Sequence, residues 1–188
     1  MAFVVLGLGS NRAWNGMDCI ALLRATCAAL SPLLADMRVS SVYCTKPMYV
    51  EAQDDFYNMA ACGFVSDALT PHALLAEIHR IEAALGRDRS REIRNGPRSI
   101  DIDIELYGDA RVESADLQIP HPRLAERAFV LVPLLELLES APDGEKRIAP
   151  QQRAQIKLAL HELPQGEASG VQLHLASADF LAITAPVV

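Results

Sequence analysis

Residues 100 to 106 alternate between aliphatic and acidic side chains, and this pattern restricts the possible folds more than any other stretch. Three acids alternate with four aliphatic residues in the order Ile100, Asp101, Ile102, Asp103, Ile104, Glu105, Leu106. A period of two predicts a strand with one buried and one polar face, so the acids point the same way. Residues two apart on a strand are roughly 6.6 Å apart, and two aspartates can therefore converge on one cation or on a pair. Like charges on one face need neutralising by a divalent metal, an arginine or water.

The segment before this strand is basic and has no apolar period. It carries five arginines within twelve residues, namely Arg87, Arg89, Arg91, Arg94 and Arg98. Such a segment is typical of a mobile loop. Guanidinium groups bind phosphate oxygens in bidentate geometry, and paired carboxylates hold Mg²⁺ mainly through its contacts to substrate phosphates. Together they predict a polyphosphate site with magnesium. The alternative is a solvated loop whose arginines pair with the aspartates of the strand.

Length and charge predict one domain that is no general nucleic-acid or membrane binder. The chain has 188 residues, the length of one ordinary domain with a single core. Its net charge of −7 makes the basic segment a local exception. No apolar run approaches the roughly 20 residues that span a bilayer. No basic region precedes the apolar start, so we expect a mature, cytoplasmic N-terminus. The four cysteines suit no zinc motif and are expected to be buried, reduced thiols.

Turn formers, prolines and apolar periodicity divide the chain into short elements. Besides the acidic strand, strands are predicted at residues 2–8, 37–43, 56–65 and 171–175, with a short strand or hairpin at 112–119. Helices are predicted at residues 17–34, 70–85, 124–138 and 151–163. Pro32 is expected to end the first of these early, and Pro133 to interrupt the third. Residues 44–55 are expected to form a loop of about a dozen residues, a length that is usually functional or disordered.

The order β-α-β-β-α-β predicts an α+β fold of the ferredoxin-like kind. One antiparallel sheet would carry two helices on one face. The first and last strands would lie side by side in the middle of the sheet, which brings the turn after Leu8 close to the acids. We expect residues 1–145 to form this domain. Residues 146–188 would be a C-terminal extension packed on the same domain.

Several short motifs occur in a fixed order along the chain. They are Leu8-Gly9-Ser10-Asn11, Phe56-Tyr57-Asn58, Ile81-Glu82, Gly86-Arg87-x-Arg89, Gly96-Pro97-Arg98-Ser99-Ile100-Asp101-Ile102-Asp103, and Ile119-Pro120-His121 followed by Arg127-x-Phe129. From about residue 3 to 140 the chain thus resembles the 6-hydroxymethyl-7,8-dihydropterin pyrophosphokinase family of the folate pathway. The Gly-Pro-Arg-x-x-Asp-x-Asp element is specific, whereas Leu-Gly-Ser-Asn alone is a weak signal.

The resemblance implies transfer of the β,γ-diphosphoryl group of ATP to the hydroxymethyl oxygen of the pterin, with release of AMP. Asp101 and Asp103 would hold two magnesium ions that bridge the ATP phosphates and the attacking hydroxyl. This agrees with the electrostatic interpretation of the acidic strand, since positioning and charge neutralisation dominate phosphoryl transfer. The expected partners are therefore small molecules, with no nucleic acid and no membrane.

The resemblance also implies a role for each matching residue. Catalysis is expected to involve Arg87, Arg98, Asp101 and Asp103. ATP is expected to contact Glu82, Arg87, Arg89, Arg91, Arg98, Ile104, His121 and Arg127. The pterin is expected to contact Thr45, Met48, Phe56, Asn58, Asp101 and Phe129, with the two phenylalanines stacked on its ring. Structural alternatives exist for several: the phenylalanines as core residues, Asn58 as a strand end, His121 as a turn residue, and Glu82 as a partner of Arg80 or Arg87.

Four departures from the family pattern leave alternatives open. Glu105 replaces an apolar residue, Asn95 replaces an aromatic one, Lys46 replaces a proline, and residues beyond about 145 extend past the usual end of the family. One alternative is a relative with the same fold that uses another acceptor alcohol. A second is a non-catalytic nucleotide-binding or interaction module whose acids and arginines pair only with each other. We expect a monomer, with a dimer formed through the C-terminal extension as the alternative.

Overall fold

A computed structural model describes residues 1–48, 52–91, 93, 96–140, 148, 150–164 and 168–182, with the backbone alone at 169. The strands are β1 (Ala2–Ser10), β2 (Ala35–Val39), β3 (Val42–Thr45), β4 (Phe56–Val65), β5 (Asp101–Tyr107), β6 (Val112–Glu113), β7 (Gln118–Ile119) and β8 (Gln172–Leu175). The helices are α1 (Cys19–Leu30), α2 (Pro71–Ala84), α3 (Ala128–Ser140), α4 (Pro150–Glu162) and α5 (Ser177–Ala182).

The fold is a mixed α/β fold built on one antiparallel sheet. Its strand order is β5-β1-β4-β3-β8, and β2 also pairs with β4. The strand predicted at residues 37–43 is thus two short strands, which Ser40 and Ser41 separate. β1 and β5 are neighbours as predicted, with Gly9 opposite Asp101 and Gly7 opposite Asp103. The predicted central position of β5 is wrong, because β5 is an edge strand of this sheet.

Helices cover both faces of the sheet. On one face, Val4, Leu6 and Leu8 of β1 pack with Leu23 of α1 and Ile78 of α2. On the other face, Phe3 and Val5 pack with residues of α3 and α4, including Leu131, Leu134 and Ile156. This alternation shows that β1 is a central strand covered on both sides. The prediction of two helices on one face holds for α1 and α2. It did not include α3, which covers the opposite face.

Most helix boundaries follow their sequence signals. Asp18 accepts a hydrogen bond from the backbone N–H of Ala21 at 2.8 Å and caps α1, which ends two residues before Pro32. Thr70 caps α2 in the same way. The interruption expected at Pro133 is absent, since α3 continues through this residue. One lost backbone hydrogen bond is outweighed there by the burial of eight of its thirteen residues.

A β-bulge interrupts the alternation of β5 at Glu105. Val5 of β1 pairs with Leu106 and Leu6 pairs with Ile104, so Glu105 is the extra residue without a partner. Ile104 therefore packs in the core beside α1 and α2, whereas Leu106 packs on the opposite face. The predicted strand is confirmed, but its regular alternation ends after Glu105, because Leu106 lies on the same face as Glu105.

The described C-terminal residues pack along the edge of β3. β8 pairs antiparallel with β3. In α5, Phe180 is buried, its carbonyl accepts a hydrogen bond from Arg24 Nε at 3.0 Å, and the Arg24 guanidinium lies 5.0 Å from its ring centroid. Ser41 links this segment to α3, because its Oγ accepts from the N–H of Ser177 and donates to Glu136. No described helix is long and apolar enough to cross a bilayer.

We expect Phe180→Ala to lower the free energy of unfolding by about 3 kcal/mol, near the lower end for a buried phenylalanine, because α5 can detach locally. The adjacent Leu181 is 64% exposed, so Leu181→Ala should change stability by less than about 0.5 kcal/mol. Denaturant unfolding of both variants measures the difference. Equal stabilities would show that this segment contributes nothing to the core.

Candidate active site

A cleft of about 270 Å³ lies between one face of the sheet and the start of α3. Twelve of the predicted site residues line it: Thr45, Met48, Phe56, Asn58, Arg87, Arg89, Arg98, Asp101, Asp103, His121, Arg127 and Phe129. Three do not. Glu82 is buried behind the arginines, Ile104 is in the core on the opposite face, and Arg91 is exposed beside Asp88.

Asp101 is held between two arginines. Arg87 Nη1 donates to its Oδ1, and Arg98 Nη1 donates to its Oδ2 at 2.5 Å. Burial would raise the pKa of this carboxyl, but the charges of Arg98 and Arg87 outweigh burial and lower it. Asp101 is therefore ionised and its charge is balanced within the protein.

Asp103 has no comparable partner among the described residues. Its nearest cation is Arg127, whose Nη1 lies 3.9 Å from Oδ2, and its side chain is 39% exposed to the cleft. Partial burial and the neighbouring charge of Asp101 raise its pKa to about 7. A carboxylate in this situation favours any cation that enters the cleft.

Glu82 anchors the basic segment from below. Its side chain is 1% exposed, Oε1 accepts from Arg87 Nη1 at 2.5 Å, and Oε2 accepts from Arg89 Nη2 at 2.5 Å. Oε1 also accepts the backbone N–H of Ile102 at 2.9 Å. One buried carboxylate thus fixes α2, the basic segment and the edge of β5 together. The alternative pairing of Glu82 with Arg87 is the one observed.

The turn after β1 holds the other end of the basic segment. Ser10 Oγ donates to the carbonyl of Ser99 at 2.5 Å, and Asn11 Oδ1 accepts the backbone N–H of Arg98 at 2.8 Å. Asn11 Nδ2 also donates to the carbonyl of Asp54 at 3.1 Å. Sequence reasoning placed this turn near the acids but did not identify Asn11 as a site residue. The described part of the basic segment is fixed at both ends; Arg94 and Asn95 lie outside the described residues.

Aromatic and amide side chains form the other end of the cleft. Arg98 lies over the Phe56 ring at 5.6 Å and Arg127 over the Phe129 ring at 5.5 Å. Asn58 Nδ2 donates to Thr45 Oγ1 at 2.8 Å, which leaves its carbonyl oxygen available to accept. This end offers flat apolar surfaces beside a directed hydrogen-bonding group.

His121 also lines the cleft, as a neutral side chain. Burial and the charges of Arg127 and Arg123 lower its pKa to about 4. Its Nδ1 accepts the backbone N–H of Arg123 at 3.1 Å, so the ring proton is on Nε2. His121 can therefore donate one hydrogen bond at neutral pH without adding charge.

Glu105 also lines the cleft, although sequence reasoning gave it no role there. It is 1% exposed, and neither carboxylate oxygen has a hydrogen-bond partner among the residues that the structure describes. Burial, and then the charge of Asp103, raise its pKa well above the usual value. The signals in the sequence were its position as the third acid on the polar face and its replacement of an apolar residue of the family pattern.

Paired carboxylates, several arginines and two phenylalanines thus line one cleft. The model of the family described as 7,8-dihydro-6-hydroxymethylpterin-pyrophosphokinase (HPPK) matches residues 5–139. The chain belongs to this family. The resemblance inferred from its motifs is thereby confirmed.

Several known proteins are similar to this chain. The 2-amino-4-hydroxy-6-hydroxymethyldihydropteridine pyrophosphokinase of Methylorubrum extorquens is 43% identical over 145 residues, covering 76% of this chain and 85% of the relative. A mitochondrial folate synthesis bifunctional protein of Pisum sativum is 41% identical over 145 residues, covering 76% of this chain and 26% of the relative. This chain thus spans about a quarter of that larger protein. The crystal structure of Plasmodium falciparum HPPK-DHPS shares the fold, with a TM-score of 0.56 at 15% identity, covering 86% of this chain and 44% of that one.

Proposed function

We propose that the protein transfers a diphosphoryl group from ATP to the hydroxymethyl oxygen of 6-hydroxymethyl-7,8-dihydropterin and releases AMP. The observation that carries this proposal is that Asp101 and Asp103 line the same cleft as four arginines and two phenylalanines. A phosphate chain at one end and a flat heterocycle at the other would meet at the two carboxylates. The pterin named for the family has the matching shape.

The arginine end would bind the phosphates. Arg87, Arg89, Arg98 and Arg127 supply charge, and neutral His121 supplies a hydrogen-bond donor. Because Glu82 and Asp101 already hold Arg87, Arg89 and Arg98, these three arginines need little reorganisation when a polyanion enters. Glu82 would act through Arg87 and Arg89 rather than by contact. We also propose that Arg91 and Ile104 contact the nucleotide, Arg91 from its exposed position and Ile104 through its backbone.

The carboxylates fit magnesium. Their oxygen ligands suit a hard cation, and Asp103 has no close counterion among the described residues. No group of three ligating side chains occurs in the part of the chain that the structure describes, which suits an ion that one or two carboxylates and substrate phosphates share. We propose that Asp101 and Asp103 hold two such ions, which when bound would neutralise charge on the transferring phosphates.

The aromatic end would bind the acceptor. Phe56 and Phe129 offer faces for the ring, and Asn58, oriented by Thr45, would accept from its hydrogen-bonding edge. Met48, which is 43% exposed at the mouth, would contact the ring from outside. We also propose the ferredoxin-like topology, which the antiparallel order β5-β1-β4-β3 supports. We further propose that the protein is a cytoplasmic monomer. Size-exclusion chromatography tests its oligomeric state.

Release of AMP from ATP, Mg²⁺ and the hydroxymethyl dihydropterin tests the activity directly. We expect AMP and the pterin diphosphate in equal amounts. Metal-dependent ATP binding without AMP would favour a relative with another acceptor alcohol. Absence of ATP binding with Mg²⁺ would favour a non-catalytic module.

We expect Arg98→Ala to lower kcat/KM for ATP by about 10- to 100-fold, the value of a charge-assisted hydrogen bond to phosphate. Stability should change little, because Asp101 keeps its pair with Arg87. Arg80→Ala is the control, since Arg80 is 72% exposed on α2 and lies outside the cleft. A large fall in melting temperature with unchanged kinetics would show that Arg98 is a structural ion-pair partner instead.

A further inference from the structure

Glu105 is a buried acid without a partner among the described residues, and the cleft is the space that it faces. Its two oxygens accept no hydrogen bond from any of those residues. His121 Nδ1 lies 3.9 Å from Oε2, but this nitrogen already accepts the N–H of Arg123 and has no proton to donate. An unpartnered buried carboxyl is unfavourable in either protonation state, so its presence in a cavity indicates a ligand that supplies the missing donors.

Gly7 gives this side chain room to extend across β1, toward the strand that carries Asn58. Glu105 follows Asp103 on the face of β5 that lines the cleft. Its Oε1 is 2.9 Å from the place that a Cβ of Gly7 would occupy, so the carboxyl lies across β1. In the sheet, β1 is followed by β4, which carries Asn58.

Small residues leave room for a ligand at this point. Gly7 pairs with Ala60 of β4, and Ala60 is two residues from Asn58 on the same face of the strand. Val130 and Leu134 of α3 close the cavity from above. The carboxyl of Glu105 therefore lies among small and apolar residues, beside Asp103.

We propose that Glu105 is a specificity-determining residue that accepts hydrogen bonds from two adjacent N–H groups of the acceptor heterocycle. A carboxylate with two coplanar oxygens matches a 2-amino group and its neighbouring ring N–H in bidentate geometry. The inference rests on the proposed function, because the 2-amino-4-hydroxy pteridine in the relatives' names has this pair of donors. Glu105 thus complements Asn58, which offers a single acceptor.

The test uses the full chain with Glu105→Met, which preserves length and removes both acceptors, and Glu105→Gln, which keeps one. For Glu105→Met we expect KM for the hydroxymethyl dihydropterin to rise by about tenfold or more, equivalent to about 1.4 kcal/mol. Glu105→Gln should give an intermediate value. KM for ATP and the Mg²⁺ dependence should stay unchanged. Glu113→Gln, at an exposed position on β6, is the matched control.

An analogue of the acceptor tests which ligand atoms Glu105 contacts. Wild-type protein should bind an acceptor with oxygen in place of the 2-amino group about tenfold or more weakly than the 2-amino acceptor. A site that hydrogen-bonds the donor rejects a ligand that lacks it. This discrimination should shrink in Glu105→Met. Isothermal titration calorimetry with a non-hydrolysable ATP analogue and Mg²⁺ measures it without turnover.

The melting temperature separates this role from a structural one. Removal of an unpartnered buried acid should leave the melting temperature of Glu105→Met equal to or above that of wild type. Unchanged pterin affinity in both Glu105 variants, while wild type turns over normally, would overturn the inference alone. A shift confined to the Mg²⁺ dependence would also overturn it and make Glu105 a metal ligand. Absence of pterin binding to wild type would overturn the proposed function.

Discussion

Asp103→Asn is expected to abolish turnover while it stabilises the metal-free protein above pH 7. The rate should fall by about a thousandfold or more, because the substitution removes a carboxylate that stabilises charge on the transferring phosphates. Stability should rise because Asp103 carries a charge that no described residue balances closely. AMP release and thermal unfolding in a chelator measure the two effects.

The pH dependence of this gain follows from the pKa of Asp103. The pKa rises from its usual 3.8 to about 7 in the folded protein. Between these values the folded state keeps a proton that the unfolded state releases, so this stabilising contribution is complete below pH 3.8 and is lost as the pH rises through about 7. The amide introduced by Asp103→Asn would carry no such charge at any of these pH values. The variant should therefore melt about 2–4 °C above wild type at pH 8 and near it at pH 4.

Two comparisons make this prediction specific. Asp101→Asn should reduce turnover equally but lower the melting temperature, because Arg87 and Arg98 would lose their ionised partner. Asp109→Asn, in the exposed turn after β5, should change neither quantity. A rate for Asp103→Asn within about tenfold of wild type would remove this residue from the mechanism.

Glu82→Ala is expected to cause the largest loss of stability, about 3–5 kcal/mol. The substitution would leave the Arg87 guanidinium, which is 9% exposed, with half of its countercharge, and the N–H of Ile102 without its acceptor. Denaturant unfolding measures the loss.

Glu77→Ala is the matched control for Glu82. Glu77 lies on the same helix and pairs with Arg80 at the surface, so its removal should change stability by less than about 0.5 kcal/mol. Equal effects of the two substitutions would contradict the anchoring role of Glu82. A destabilised Glu82→Ala that still binds ATP normally would limit Glu82 to folding.

The sequence predicts that Glu82 is buried, although an acidic residue is unusual at a buried position. It follows Leu74 and Ile78 at intervals of four residues, which places it on the buried stripe of α2. An acid on that stripe predicts a buried ion pair, and the arginines after Gly86 were the available partners. The family resemblance instead suggested a residue close to the nucleotide.

Local signals predicted the helix caps and most strands, but they did not predict how β5 continues. The alternation of acidic and aliphatic residues is unbroken as far as Leu106, so the bulge leaves no trace in the pattern. Pairing with β1 determines it. Coverage of the second sheet face by α3 and the contact of α5 with Arg24 likewise depend on packing between distant segments, which periodicity does not encode.

The outer edge of β5 is partly closed to pairing with another strand. Glu82 accepts the N–H of Ile102, and the carbonyl of Glu105 accepts the N–H of His121 at 3.0 Å. These two backbone groups are no longer available to a second chain, and unpaired strand edges are what promote aggregation. The contacts that fix the positions of the acids therefore also shorten the exposed edge of the strand that carries them.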